Sequence, residues 1–137
     1  MSRTLTLKAA GRTDIGRVRE TNQDALLVRE DLGLFVVADG MDGRATGEIA
    51  SAIAVKAIEG FIEPFGTDWP CDTIGAPTDA LARLVAAVIH ANQRIYQIAV
   101  KDPSPRWMGT TVVAALVRRN SVCLAHVGDS RIYRLRN

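Results

Sequence analysis

The stretch that most limits what this chain can fold into is residues 34–51, LFVVADGMDGRATGEIAS. Its first five residues are apolar on both alternating faces, which marks a strand inside a sheet rather than at its edge. The run ends on Asp39 and Gly40, crosses a glycine-broken loop and enters a segment of helical periodicity. A carboxylate at the end of such a strand is held rigidly, and the glycines let backbone carbonyls and amides approach a bound ion or phosphate closely. Burying that carboxylate unpaired would be costly, and several hard oxygen ligands around a divalent cation would supply the partner. The junction therefore points to metal or phosphate chemistry.

The flanking periodicities place the junction in a fold. Alternation at Leu5, Leu7 and Ala9 suits a half-buried first strand. Residues 25–29 and 34–38 flank Glu30-Asp31-Leu32-Gly33, a short glycine-ended connection expected of an antiparallel hairpin. From Gly47, the positions Ile49, Ala50, Ile53, Ala54, Ala57, Ile58, Phe61 and Ile62 follow helical spacing, closed by Pro64 and Gly66. After an excursion over residues 63–78, a cap at Thr78 or Asp79 opens a second helix from about Ala80 toward Val100. Its expected apolar face is Leu81, Leu84, Val85, Val88, Ile95 and Ile98, and the run from Asp102 to Pro105 ends it. Residues 110–117, 121–127 and 131–135 read as strands of a meander, with turns at Arg118-Arg119-Asn120 and Gly128-Asp129-Ser130. Strands, two helices, then strands again imply an α+β fold with largely antiparallel pairing.

Composition excludes several function classes. A length of 137 residues with 47% hydrophobic content supports one core and one domain. Seventeen basic against fifteen acidic side chains leave a net charge of +2, and no basic run interleaves with aromatics as a nucleic-acid groove requires. Apolar stretches are broken well short of the roughly 20 residues needed to span a bilayer. The start, MSRTLTLKAAGRTD, has no hydrophobic signal segment, and the two cysteines, Cys71 and Cys123, form no visible framework. A reducing, cytoplasmic setting is expected, with no nucleic-acid or membrane partner.

Three aspartates sit at strand ends or beside glycines: Asp24 in NQDA, Asp39 in ADGM and Asp129 in GDSR. Asp-Gly is a common turn pair, so an isolated example reads better as an exposed turn than as a site. Their surroundings are more specific. In order, the chain carries GRVRETNQDA (residues 16–25), LFVVADGMDGRATGE (34–48), GTTVVAAL (109–116) and HVGDSRIYRL (126–135). In these four motifs it resembles the amino-terminal part of the metal-dependent protein phosphatases of the PPM (type 2C) family, in its bacterial form. The resemblance implies that residues 1–137 are the amino-terminal part of a single phosphatase-like domain. Its antiparallel sheets would form part of a β-sandwich with two flanking helices.

The same resemblance assigns roles. Asp39 corresponds to the carboxylate that bridges two Mn²⁺ or Mg²⁺ ions, and Gly40 to the residue giving its carbonyl to one of them. Asp24 matches an acidic residue at that centre, and Gln23 stands where other members carry Glu. Arg19 matches the arginine that grips the substrate phosphate, a task suited to a planar, permanently charged guanidinium. Asp129 matches the aspartate of a further, more weakly held metal site, so two or three ions are implied. Gly109, Thr110 and Thr111 are read as serving packing and strand entry. The implied reaction is hydrolysis of phosphoserine or phosphothreonine in proteins by a metal-activated water. A phosphoprotein is the implied substrate, and a bacterial Ser/Thr kinase is a candidate partner.

Departures from the family pattern leave a second reading open. Where the family usually has GMGGH, this chain has Gly40-Met41-Asp42-Gly43-Arg44. Asp42 replaces a glycine, which either strains a left-handed backbone position or adds a carboxylate near the expected metals. Arg44 stands in place of a histidine proposed to help the leaving group, and a guanidinium cannot donate a proton near neutral pH. Family members also continue for about as many residues again, supplying SDG-like and DN-like aspartates that no residue up to Asn137 provides. Weak or absent catalysis is expected of this chain alone, together with uncovered apolar surface that invites self-association. The alternative is a catalytically weak or inactive module that binds a phosphoprotein or kinase. A nucleotide loop at Gly40, Gly43 and Gly47 fits less well, because the spacing is not G-x-G-x-x-G and no Gly-Lys-Ser/Thr follows.

Overall fold

The computed structural model describes residues 6–41, 46–66, 79–101 and 108–136. Strands β1 (Asp24–Arg29) and β2 (Leu34–Met41) form the expected hairpin, followed by helix α1 (Thr46–Ile62), a 3₁₀ turn (Glu63–Phe65) and helix α2 (Asp79–Lys101). Strands β3 (Gly109–Thr110), β4 (Val112–Arg118) and β5 (Ser121–Val127) complete one antiparallel sheet of order β1-β2-β4-β5, with β3 also paired to β2. Both helices cover the same face: α1 lies on β1, β2 and β3, and α2 lies on β4, β5 and α1. The fold is thus mixed helix and sheet, with antiparallel pairing throughout.

Turn chemistry sets the hairpin. Gly33 has φ +57°, and its N–H donates to the Glu30 carbonyl at 3.1 Å. Its own carbonyl accepts from the Val117 N–H at 2.8 Å, and a Cβ at this position would sit 2.6 Å from the Val117 oxygen. Only glycine fits both the left-handed backbone and that approach. Arg29 then pairs with Asp31 in the hairpin turn at 2.7 Å and ties the hairpin to Glu59 of α1 at 2.6 Å and to Glu63 of the 3₁₀ turn at 3.3 Å.

Five sequence expectations change. Residues 6–9 form no strand. The Ala9 N–H donates instead to the Glu30 carboxylate at 2.6 Å, and residues 9–12 run across the open face of the sheet beside Leu26 and Val28. Residues 131–135 likewise pair with no strand, and Ile132 lies over Val113 and Ala115 on that face. Alternation makes a segment fit to be a strand, but a ladder needs backbone pairing, and neither segment makes it with a strand among the described residues. In α1, Ile49 is exposed while Thr46, Gly47 and Ser51 are buried. In α2, Val85 and Ile98 are exposed, and the buried stripe is Ala80, Leu84, Ala87, Ala91 and Ile95. Small side chains are admitted there because α1 presses its own Ala50 and Ala54 into the same core. Finally, Arg118 is a buried end of β4, not an exposed turn: its guanidinium donates to the carbonyls of Val117 at 2.7 Å and Gly66 at 3.2 Å. Helix α2 starts at Asp79, while Thr78 and the break after Lys101 lie outside the described residues.

Candidate metal and phosphate site

The candidate site lies on the sheet face that the helices leave open. Along β2, Leu34, Val36, Ala38 and Gly40 point to the helices, whereas Val37, Asp39 and Met41 are exposed on the other side. The expectation that the strand is buried on both faces is corrected accordingly. β2 is central in the sheet, but Asp39 stands on its uncovered face.

Register brings the acidic groups together. Asp24 of β1 is directly opposite Asp39 of β2. On the other side, continuing the register that pairs Gly40 with Thr110 and Val37 with Val113 puts Thr111 opposite Asp39. Asp39 spends both of its backbone groups on Thr111: its carbonyl accepts the Thr111 N–H at 2.8 Å, and its N–H donates to Thr111 Oγ1 at 3.1 Å. The Asp24–Asp39 pair is therefore the narrow, non-hydrogen-bonded kind, with Cα atoms about 4.5 Å apart and side chains close together. Like charges so placed repel. The Asp39 carboxyl is held above the usual carboxylate range by desolvation, then by the charge and hydrogen bond of Asp24 and by the charge of Asp129, with Arg19 pulling the other way.

The strand end is fixed by close backbone approach. The Gly40 N–H donates to the Gln23 carbonyl at 3.0 Å, and a Cβ on Gly40 would collide with the Gly47 carbonyl oxygen in the first turn of α1. Gly40 is thus needed for packing whether or not its carbonyl meets an ion. The preceding loop is braced by Asn22, whose side chain donates to Thr13 Oγ1 at 2.8 Å and accepts from the Asp24 N–H at 3.0 Å. Asp14 accepts the Gly16 N–H at 2.8 Å. The result is a concavity of about 690 Å³ lined by Asp14, Arg19, Glu20, Asp24, Asp39 and Gly40.

The structure brings Arg19, Asp24, Asp39 and Gly40 to one concavity, and Asp129 close enough to act on Asp39 electrostatically. Asp42, Gly43 and Arg44 lie outside the described residues. Among the described residues no three His, Cys, Asp or Glu side chains close on one point as a metal cage. The donors present are hard carboxylate oxygens facing one another, which suits Mn²⁺ or Mg²⁺ and falls short of a full ligand set. Sequence reasoning missed Asn22 and the partnership of Thr111 with Asp39. Asn22 had a signal in its position two residues before Asp24, whereas Thr111 had none beyond its place in the GTT motif.

An antiparallel sheet backed by two helices thus presents facing aspartates and an arginine on its open side. The pattern of the Protein phosphatase 2C family matches residues 13–137, and the chain belongs to that family. It is 39% identical over 136 residues to the serine/threonine protein phosphatase PstP of Mycobacterium tuberculosis, covering 98% of this chain and 24% of that protein. It is 33% identical over 135 residues to the serine/threonine phosphatase stp of Listeria monocytogenes, covering 96% and 51%. Among solved structures, the catalytic domain of PstP in complex with two manganese ions aligns with a TM-score of 0.71 at 37% identity, over 88% of this chain and 47% of that one. The PPM Ser-Thr phosphatase MsPP from Mycobacterium smegmatis, in complex with cacodylate, also aligns at 0.71, with 33% identity over 93% and 48%. The chain thus spans a quarter to about half of the relatives it matches.

Proposed function

We propose that this chain is the amino-terminal part of a single phosphatase-like domain whose complete form hydrolyses phosphoserine and phosphothreonine in proteins. The observation that carries this reading is the Asp24–Asp39 pair, two carboxylates in narrow cross-strand register with a third, Asp129, acting on Asp39. Asp39 and Asp24, with the Gly40 carbonyl, would hold the core ions, and Asp129 a further one. When bound, two or three Mn²⁺ or Mg²⁺ ions supply a water of lowered pKa and neutralise charge on the phosphoryl group. Arg19 grips the phosphate, its guanidinium able to donate two parallel hydrogen bonds to phosphate oxygens. The relatives' names support a phosphoprotein substrate, and a bacterial Ser/Thr kinase is the proposed partner. Among the described residues no helix is long and apolar enough to cross a membrane. A cytoplasmic setting and self-association through the open sheet face complete the proposal.

The test is phosphate release from a phosphothreonine peptide by the full-length open reading frame, with and without Mn²⁺. Metal-dependent turnover is expected, falling at least about 100-fold in Asp39→Asn, since even residues one shell beyond a metal lose 10- to 100-fold. Absence of metal-dependent turnover would sink the enzyme reading. The 137-residue chain alone is expected to stay near the level of its Asp39→Asn control.

A second reading, a weak or inactive module that binds a phosphoprotein or kinase, is favoured by Arg44. That residue cannot deliver a proton near neutral pH. Phosphopeptide binding without turnover by the complete protein would select it.

A further inference from the structure

The hydrogen bonding around Asp39 contains a substitution of side chain for backbone. In a regular antiparallel ladder, the Asp39 N–H would donate to the Thr111 carbonyl, reciprocating the bond from the Thr111 N–H. Here it donates to the Thr111 hydroxyl at 3.1 Å, and the Thr111 carbonyl accepts instead from Thr110 Oγ1 at 2.9 Å. The Thr111 hydroxyl also lies 2.6 Å from Ser130 Oγ. Its methyl faces Gly128, two residues earlier, where a Cβ at φ +94° would come within 2.8 Å of Thr111 Cγ2. Thr111 therefore pairs with Ser130, the residue after Asp129, while holding both backbone groups of Asp39.

We infer that Thr111 is a positioning residue that fixes the spacing of Asp39 and Asp129 through its hydroxyl, which accepts from the Asp39 N–H and pairs with Ser130. The inference rests on the reading of these aspartates as metal ligands. Thr111 is only 3% exposed, so water does not readily replace its hydroxyl, and removing it leaves the Asp39 N–H without its acceptor. Neither aspartate loses a donor atom in such a variant. Only their separation is released, which lowers metal affinity and leaves the phosphate grip of Arg19 intact.

The experiment is Mn²⁺ titration of the full-length open reading frame by calorimetry, with steady-state kinetics on a phosphothreonine peptide. Thr111→Val keeps the shape and removes the hydroxyl. It is expected to weaken Mn²⁺ binding by about 10- to 100-fold, as loss of a support behind a metal ligand does. Turnover falls at limiting Mn²⁺ and recovers at saturating Mn²⁺, while KM for the peptide stays unchanged. Thr111→Ser restores affinity, and Ser130→Ala lowers it without touching the Asp39 bond. Wild-type Mn²⁺ affinity in Thr111→Val, where Asp39→Asn loses it, overturns the inference and leaves the metal site standing. Unchanged affinity in Asp39→Asn overturns both. If Thr111→Val does not fold, Ser130→Ala decides alone: weakened Mn²⁺ binding supports the inference and wild-type binding overturns it.

Discussion

The two faces of strand β2 are built from similar residues and meet opposite fates. Leu34 and Ala38 on one side are 0% exposed, while Val37 on the other is 47% exposed. The covered face is closed by α1 and α2, the segments that follow the hairpin in the chain, with Ile58, Ile62 and Leu84 filling the space between helices and sheet. The open face is crossed by residues 9–12 and by Ile132. All the candidate chemistry is on that open side, with Asp24 and Asp39 continuing the column that Leu26 and Val37 begin. One face supplies the rigidity and the other presents the carboxylates, which escape the cost of deep burial there.

The largest expected test of this division is a matched truncation. Ile58→Ala on the covered side should cost about 2–5 kcal/mol in urea unfolding, because it empties a closed core. Val37→Ala should cost under about 1 kcal/mol, as only part of its surface leaves water. Equal losses would break the comparison. Next comes Gly40→Ala, where the added methyl meets the Gly47 carbonyl of α1 and has no flexible neighbour to displace. A loss of about 1–3 kcal/mol is expected, with weaker Mn²⁺ binding alongside. A neutral result would mean that β2 and α1 can move apart at the site.

Smaller and opposite in sign is Asp39→Asn in chelator. Folding holds the Asp39 proton more tightly than the unfolded chain does, so ionising it costs stability as pH rises through and above the ordinary carboxylate pKa. The amide should raise stability at neutral pH by about 0.2–1 kcal/mol, the scale of a facing like-charge pair. The gain should vanish below the unfolded-state pKa, and Mn²⁺ should stabilise the wild type alone. The smallest effect belongs to the half-buried Arg29 network at the surface. Arg29 holds the Asp31 carboxyl below its usual range, so its contribution is present above the ordinary carboxylate pKa and is lost as pH falls through the lowered one. Arg29→Ala should therefore lower the thermal midpoint slightly at neutral pH, with the difference shrinking in acid.

Local chemistry made much of this molecule legible in advance. Gly33 announced the hairpin, Pro64 and Gly66 the end of α1, and the Asp39-Gly40 junction the place of the candidate site. What escaped the sequence depends on partners. The buried stripe of α2 runs through three alanines rather than Val85 and Ile98, because α1 decides which side of α2 is covered. Residues 6–9 and 131–135 alternate like strands and yet pair with no strand among the described residues.

The site divides in the same way. The amino-acid sequence by itself determined which groups are available: Arg19, Asp24, Asp39 and Asp129, with glycines where the backbone must come close. Tertiary structure decided that Asp24 faces Asp39 in a narrow pair and that Thr111, 72 residues away, takes both backbone groups of Asp39. Periodicity and turn propensity act within a few residues of chain. Cross-strand register and the choice of covered face are settled only when distant segments compete for the same hydrogen bonds and the same apolar surface.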